Sequence, residues 1–388
     1  MSSSDELLTP EQREIKQRAR EVAEKYVRPQ AAELDRTGQY PHEIMRKIVD
    51  YGLMGMWIPK EYGGGGKGVF ELCLIVEELS RACGGVGVGF AVNALGSFPI
   101  ILGGNDEQKE RYLRDVASGK KYIAFALSEK ESGSDAGSLK TKAWKEGNDY
   151  IVDGEKKWTT NANAADIYTV FANTNPEKGT RGISAFIVEK GWEGFTIGKE
   201  EDKMGIRCVP VHETIFNKCR VPAKNLLGRE GLGFMLAMST LDRARPGVAS
   251  QAVGLAQGAF DLAINYAANR KQFGQNLLSF QALQFMLADH ATEIEAARQL
   301  VYASARAVDA GLKSYSKLSA MGKFFASDVA MKVTTDAVQI FGGYGYCRDY
   351  PIEKYMRDAK ITQIYEGTNQ IQRLVVARNL IKELASKE

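Results

Sequence analysis

The sequence predicts an α+β chain in three blocks: an N-terminal helical domain at 1–121, a middle β-barrel or sandwich domain at 122–230, and a C-terminal helical bundle domain at 231–388. Two changes of hydrophobic period set these bounds. Apolar residues recur every three or four positions up to about Lys121. They then give way to short segments rich in β-branched and aromatic residues, and the helical period returns after Gly231-Leu232-Gly233. A length of 388 residues is too great for one ordinary core and agrees with two or three domains.

In the first block, Thr9-Pro10 has the order of a cap followed by a first-turn proline, and Ile15, Ala19, Val22 and Ala23 continue on one face. Breaks are expected at Tyr40-Pro41 and from Ile58 through the run Gly63-Gly64-Gly65-Gly66. That run lacks the Gly-Lys-Ser/Thr ending of a phosphate-binding loop, so a flexible connection is the expectation. A helix follows from about Val69 to Arg81. The small residues from Gly84 to Gly96 imply close packing, or room left beside a ligand.

Strands are expected at Tyr150-Ile151-Val152, Ile167–Phe171, Ile183–Val188 and Thr214-Ile215-Phe216. Turns such as Glu146-Gly147-Asn148-Asp149 separate them, and Pro210 and Pro222 suit strand ends. In the last block, helices are expected at Ala252–Asn269, from Gln281 to about Gly311, and at Lys317–Phe341. They are apolar on more than one side, which implies burial in a bundle or a subunit contact.

Composition narrows the function classes. Net charge is +3, and no basic run suggests nucleic acid or an anionic membrane as partner. No apolar segment is read as long enough to span a membrane, and the N-terminus lacks the pattern of a signal peptide. Cys73, Cys83, Cys208, Cys219 and Cys347 form neither a disulfide framework nor a C-x-x-C site, which implies reduced thiols and a cytoplasmic-type compartment. His42, His212 and His290 lie far apart, so no metal site is expected.

Chemistry concentrates at Ile364-Tyr365-Glu366-Gly367-Thr368-Asn369-Gln370-Ile371-Gln372-Arg373. Thr368 or Asn369 would cap a helix carrying Ile371, Leu374 and Val375, with Glu366 just ahead of its N-terminus. Taken alone, this is a capped helix preceded by a solvated carboxylate. The wider pattern changes that reading. The motif closes a series that begins with Phe125-Ala126-Leu127-Ser128-Glu129-Lys130-Glu131-Ser132-Gly133-Ser134-Asp135 and Lys157-Trp158-Thr159-Thr160-Asn161. It continues through Asn269-Arg270-Lys271-Gln272-Phe273-Gly274 and Gln339-Ile340-Phe341-Gly342-Gly343-Tyr344-Gly345. In order and spacing, over nearly the whole chain, these motifs resemble the acyl-CoA dehydrogenase family.

The resemblance implies a C-terminal four-helix bundle, FAD bound between domains and across a subunit contact, and a homotetramer built as a dimer of dimers. It implies an acyl-CoA thioester as substrate and Glu366 as catalytic base. Hydrogen bonds from the Glu366 N–H and a ribityl hydroxyl of FAD would stabilise the developing enolate, and exclusion of water would strengthen them. Loss of the α proton to Glu366 and of a β hydride to the flavin gives a trans-2-enoyl-CoA.

By the same resemblance Ser128, Trp158 and Thr160 flank the flavin ring, and Phe125, Leu127, Gly133 and Ser134 belong to that set. Arg270, with Gln272 and Phe273, would reach the FAD pyrophosphate of a neighbouring subunit. Gln281, Gln339, Gly342, Gly343, Thr368 and Gln370 match contacts to the ADP half. Ser134, Asp242, Arg245, Gly367 and Arg378 match positions near the CoA part, and Ala91 matches the far end of the acyl pocket. Each has a plainer alternative: Trp158 a β-core residue, Arg270 a solvated helix end, Gly342-Gly343 a helix stop, Asp242 and Arg245 a buried ion pair.

Two departures stand out. Glu129-Lys130 replaces the family's Glu-Pro, with Lys130 and Glu131 expected to face solvent, and Thr159 replaces an aliphatic residue. Ala91, with Gly87, Gly89 and Ala94, suggests space for a short or medium, branched or cyclic acyl group. An electron-transferring flavoprotein is the expected acceptor; an oxygen-using oxidase, an enoyl-CoA reductase and a non-catalytic flavin-binding scaffold are the alternatives. The expected location is cytoplasmic, or the mitochondrial matrix had a targeting segment been removed.

Overall fold

A computed structural model describes residues 3–386. The first block holds α1 (Pro10–Val22), α2 (Ala31–Thr37), α3 (His42–Asp50), α4 (Val69–Ala82), α5 (Gly84–Gly103) and α6 (Asp106–Ala117). Thr9 caps α1 as expected: its hydroxyl accepts from the Gln12 N–H at 3.2 Å, and the Gln12 side chain accepts from the Thr9 N–H at 3.1 Å.

The glycine run is tightly bound rather than flexible. Gly64, Gly65 and Gly66 donate to Pro59, Gly55 and Ile58 carbonyls at 3.2, 3.1 and 2.9 Å. A Cβ on Gly64 would stand 2.2 Å from the Ile58 carbonyl oxygen, so only glycine lets the two backbones approach. The expectation that no apolar segment could span a membrane is also corrected. Helix α5 is long and apolar enough by length and composition, with glycines diluting its apolar character in the sequence. In the structure 78% of its most apolar window is buried, with α4, α6 and α7 among the elements packed on it, as suits a core helix.

The middle block holds β1 (Ile123–Ala126), β2 (Lys142–Glu146), β3 (Asp149–Thr160), β4 (Ile167–Asn173), β5 (Ile183–Glu189), β6 (Phe195–Glu200), β7 (Val211–Pro222) and β8 (Leu226–Leu227). Their order is β6-β7-β3-β2-β4-β5-β8, with β1 parallel to β4. A single residue pair, Lys142 opposite Asn173, joins β2 to β4, so the sheet is two halves hinged at one point. Rings meet between the halves, Tyr150 with Phe186 at 5.0 Å and Tyr168 with Phe195 at 4.7 Å. They enclose a core of their own, which includes Val152, Val170, Val188 and Val221.

The last block holds α7 (Gly233–Asn269), a hairpin of β9 (Lys271–Gln272) and β10 (Gln275–Asn276), then α8 (Gln281–Asp309), α9 (Tyr315–Phe341), α10 (Ile352–Lys360) and α11 (Asn369–Ala385). Helix α7 begins well before the expected Ala252 and carries Pro246 inside it. Helices α7, α8 and α9 pack together, with α11 against α9 and α4 against α7. One apolar core therefore runs through both helical blocks, joining Leu72, Val76 and Leu79 of α4 to Val253 and Leu255 of α7 and Val301 of α8.

Candidate active site

Glu366 lies in the turn between α10 and α11, at φ 52, and Gly367 follows at φ 91. A left-handed glutamate is uncommon and must be held by its surroundings. Thr368 caps α11, its hydroxyl accepting from the Ile371 N–H at 3.3 Å. Tyr365 hydrogen-bonds Gln251 of α7, which donates to the Gly84 carbonyl at 3.0 Å, so the turn is tied to two other helices.

The Glu366 side chain is half-buried rather than freely solvated. Its Oε2 is buried and has no hydrogen-bond partner, and its backbone N–H has no acceptor among the described residues. Burial pushes its pKa up to about 7, with Arg245 and Lys323 opposing the shift. Arg245 is buried and paired with Asp242 one turn earlier on α7, so the plain ion-pair reading of these two holds, beside the carboxyl group.

A second group of candidates meets at the β sheet. Between Lys156 and Thr159 the register of β3 on β7 shifts, and at this irregularity Trp158 takes φ 57. Its indole is thereby turned out and is 51% exposed, against the core-residue alternative. The Lys157 N–H donates to the Ser128 carbonyl at 2.8 Å, which brings the Ser128 loop beside Trp158. Ser128 and Thr160 are half-buried, Leu127 is buried, and Phe125 packs on Phe171 with ring centroids 5.1 Å apart. Gly133 and Ser134 are exposed in the same loop. The Asn161 side chain donates to the Gly89 carbonyl at 2.9 Å, tying the end of this strand to α5.

A third group gathers at one end of the bundle. Tyr266 of α7 stacks on Phe341 of α9 at 4.0 Å, which puts Arg270 beside the end of α9, its guanidinium 5.5 Å from the centre of the Tyr344 ring. Arg270, Gln272, Phe273, Gln281, Gln339, Gly342 and Gly343 are all exposed, and Arg270 has no ion-pair partner among the described residues. Gln370 and Arg378 are exposed on α11. Ala91 is half-buried on α5, as is Leu95 one turn on.

The glycines near Ala91 serve close packing, the first of the two readings of this segment, and do not enlarge the acyl pocket that the resemblance suggested. A Cβ on Gly87 would meet the Ser80 hydroxyl at 2.0 Å, and one on Gly89 would meet Val209 at 3.2 Å. Ala94 is fully buried. The space is filled by neighbouring side chains, which the sequence pattern alone could not reveal. Among the described residues no group of three or more His, Cys, Asp or Glu could hold a metal ion.

Comparison with known proteins follows the same three blocks. Residues 9–120, 124–219 and 231–381 match the N-terminal, middle and C-terminal domain models of acyl-CoA dehydrogenase. The chain belongs to the acyl-CoA dehydrogenase family. It is 48% identical to the short-chain specific acyl-CoA dehydrogenase of Clostridium acetobutylicum, over 97% of this chain and 99% of the relative. The solved butyryl-CoA dehydrogenase of Megasphaera elsdenii is 45% identical with a TM-score of 0.94, covering 96% of this chain and 99% of that one. A chain solved in work on the electron transferring flavoprotein of Acidaminococcus fermentans and flavin-based electron bifurcation is 51% identical with a TM-score of 0.94, covering 96% and 98%.

As an acyl-CoA dehydrogenase the chain is an FAD-dependent oxidoreductase; a Bacillus anthracis relative solved with FAD is 34% identical, with a TM-score of 0.92, covering 98% of this chain and 68% of that one. The residues here fit such a group. Trp158 offers a flat exposed face on a strained irregularity, and a Cβ on Gly133, Gly342 or Gly343 would meet nothing within 4 Å.

Sequence reasoning missed several neighbours. Lys323 of α9 is fully buried and donates to the Gly367 carbonyl at 2.8 Å and to Asn369 Oδ1 at 3.0 Å. Gln372 donates to the Glu366 and Gly367 carbonyls at 3.1 and 2.8 Å. Glu129 is buried and paired with buried Lys156 at 2.6 Å, and accepts from the Thr141 N–H at 3.0 Å. That pair holds the loop where the usual proline is lacking, while Lys130 and Glu131 face solvent. Thr159 is accommodated by a hydroxyl contact with Thr214 at 3.3 Å.

Proposed function

We propose that this acyl-CoA dehydrogenase carries out α,β-dehydrogenation of an acyl-CoA thioester to a 2-enoyl-CoA, with Glu366 as the base. The observation that carries this is the buried Oε2 of Glu366, without a hydrogen-bond partner among the described residues, on a left-handed turn and with its pKa raised to about 7. A carboxylate with few hydrogen bonds is a stronger base than one in water, and its pKa lies near working pH. The Glu366 N–H, without an acceptor among the described residues, is suited to bond the thioester oxygen as negative charge gathers there. Bound FAD supplies the two-electron acceptor that takes the β hydride.

Ser128, Trp158 and Thr160 would hold the flavin ring, with Phe125, Leu127, Gly133 and Ser134 shaping its loop. Arg270, with Gln272 and Phe273, would hold the pyrophosphate, and Gln281, Gln339, Gly342, Gly343, Thr368 and Gln370 the ADP half. Asp242, Arg245, Gly367, Ser134 and Arg378 would line the CoA path, and Ala91 the acyl end. The flavin candidates lie on separate elements, on the sheet and at the end of the bundle, which suits a cofactor shared across a subunit contact. Phe273 at 93% and Ile381 at 67% exposure are apolar surface that further copies in a homotetramer would cover. The acyl group is short or medium, as likeness to a short-chain specific and to a butyryl-CoA dehydrogenase supports, and an electron-transferring flavoprotein receives the electrons.

The test is an anaerobic titration of the FAD-loaded protein with a panel of acyl-CoAs, read as bleaching of the visible flavin band. Glu366→Gln should keep the flavin and lose about 10²–10⁴ in rate. Near-normal bleaching in that variant would overturn the assignment. Turnover with the flavoprotein against turnover with air separates dehydrogenase from oxidase.

A further inference from the structure

Two consecutive left-handed residues, Glu366 and Gly367, make a turn that does not hold itself. Two side chains grip its peptide oxygens. Lys323 donates to the Gly367 oxygen at 2.8 Å, and Gln372 donates to the same oxygen at 2.8 Å and to that of Glu366 at 3.1 Å. Glycine suits residue 367 because φ 91 is a backbone conformation that side-chain-bearing residues rarely adopt.

Lys323 is an unusual choice for a purely structural clamp. It is fully buried, yet it has no ion-pair partner among the described residues. Its other bond is to Asn369 at 3.0 Å, which is itself held by Ser327 and Asp328 at 2.8 Å each. A buried ammonium directed at a peptide carbonyl is costly, and a neutral donor would serve a turn as well. Burial pushes the Lys323 pKa down to about 7, and Glu366 is the chief group opposing that shift, so the two groups feel each other. Arg245 of α7 faces the same pair, and Asp328 of α9 faces Lys323.

We propose that Lys323, with Gln372, is a positioning residue: it fixes the peptide planes after Glu366 and so aims both the carboxyl group and the N–H of that residue. The inference rests on Glu366 being the base. Lys323→Met keeps length and removes the donor; Gln372→Leu removes the other donor, and the two are combined in a double variant. With FAD loaded, each single variant should lose about 10- to 100-fold in kcat while KM stays within about threefold. Flavin content should be unchanged, and hydrogen exchange of the amides of residues 365–369 should accelerate. The double variant should lose less than the product of the single losses, because both donors serve one oxygen.

Wild-type kcat, or unaltered exchange in the turn, would overturn the proposal, as would parallel loss of flavin and activity, which marks a general structural role. Should Lys323→Met fail to accumulate, Gln372→Leu carries the same kcat-against-KM and exchange criteria. If Glu366→Gln turns over normally, the base assignment falls instead, and exchange in the turn then decides whether Lys323 holds it.

Discussion

Glu77 on α4 is buried and Glu366 before α11 is half-buried with its Oε2 enclosed, and their environments push them in opposite directions. Glu77 accepts from Arg298 at 2.9 Å, from Lys16 at 3.3 Å and from Tyr302 at 2.9 Å. Burial raises its pKa, but Lys16 and Arg298 outweigh burial and bring it down to about 2. Glu366 also has two cations nearby, yet its pKa rises to about 7. The difference lies in where the donors point. Arg245 is paired with Asp242, and Lys323 is hydrogen-bonded to Gly367 and Asn369, so neither cation hydrogen-bonds the Glu366 carboxylate. Burial alone does not raise a carboxyl pKa; burial with donors directed elsewhere does, and that is the environment of the proposed base.

The largest expected effect tests the structural side of this contrast. Lys16→Met removes the one cation that Asp5, Glu77 and Glu78 all share, while Arg20 stays with Asp5 and Glu78 and Arg298 with Glu77, and should cost about 3 kcal/mol in urea unfolding at neutral pH. A loss below about 1 kcal/mol would break the comparison, because Glu77 would then not depend on its partners.

Glu366→Gln should do the reverse. The folded pKa of about 7 lies above the model-peptide value of 4.5, so the native state binds the extra proton between those values. The carboxyl contribution to stability is therefore present in full below pH 4.5 and is lost as pH rises through about 7. The glutamine variant should match the wild type in acid and exceed it by up to about 3 kcal/mol near pH 8. In the wild type, activity should rise over the same interval as the base ionises. A stability difference that does not change with pH would remove the electrostatic account. The smallest effect is that of Thr368→Ala, which removes the cap of α11 and should cost about 1 kcal/mol in thermal or urea unfolding.

Much of this was legible in the sequence. The Thr9 cap, the long helices and the four longest apolar strands follow from local period and propensity, which neighbouring elements reinforce. Strand β2 was missed because Lys142-Ala143-Trp144-Lys145-Glu146 buries only Ala143, and β8 because two residues carry no period. The start of α7 was hidden by charged residues and Pro246, which a helix packed on several sides tolerates. At the site, the turn at Glu366 was legible as a motif, but its clamp was not. Lys323 precedes Phe324 and Phe325 and reads as a solvated helix charge; only the docking of α11 on α9 buries it and gives it a carbonyl. Likewise the Gly87 gap looks vacant until Ser80 is seen in it.

That last contact constrains how the packing of α4 on α5 could change. The Ser80 oxygen occupies the spot where any side chain at position 87 would begin, and it has no hydrogen-bond partner among the described residues. A larger residue at 87 clashes while Ser80 keeps its hydroxyl, whereas Ser80→Gly first opens a hole that the second change can fill. Enlargement of this contact between α4 and α5 should therefore be epistatic, reachable in one mutational order and blocked in the other.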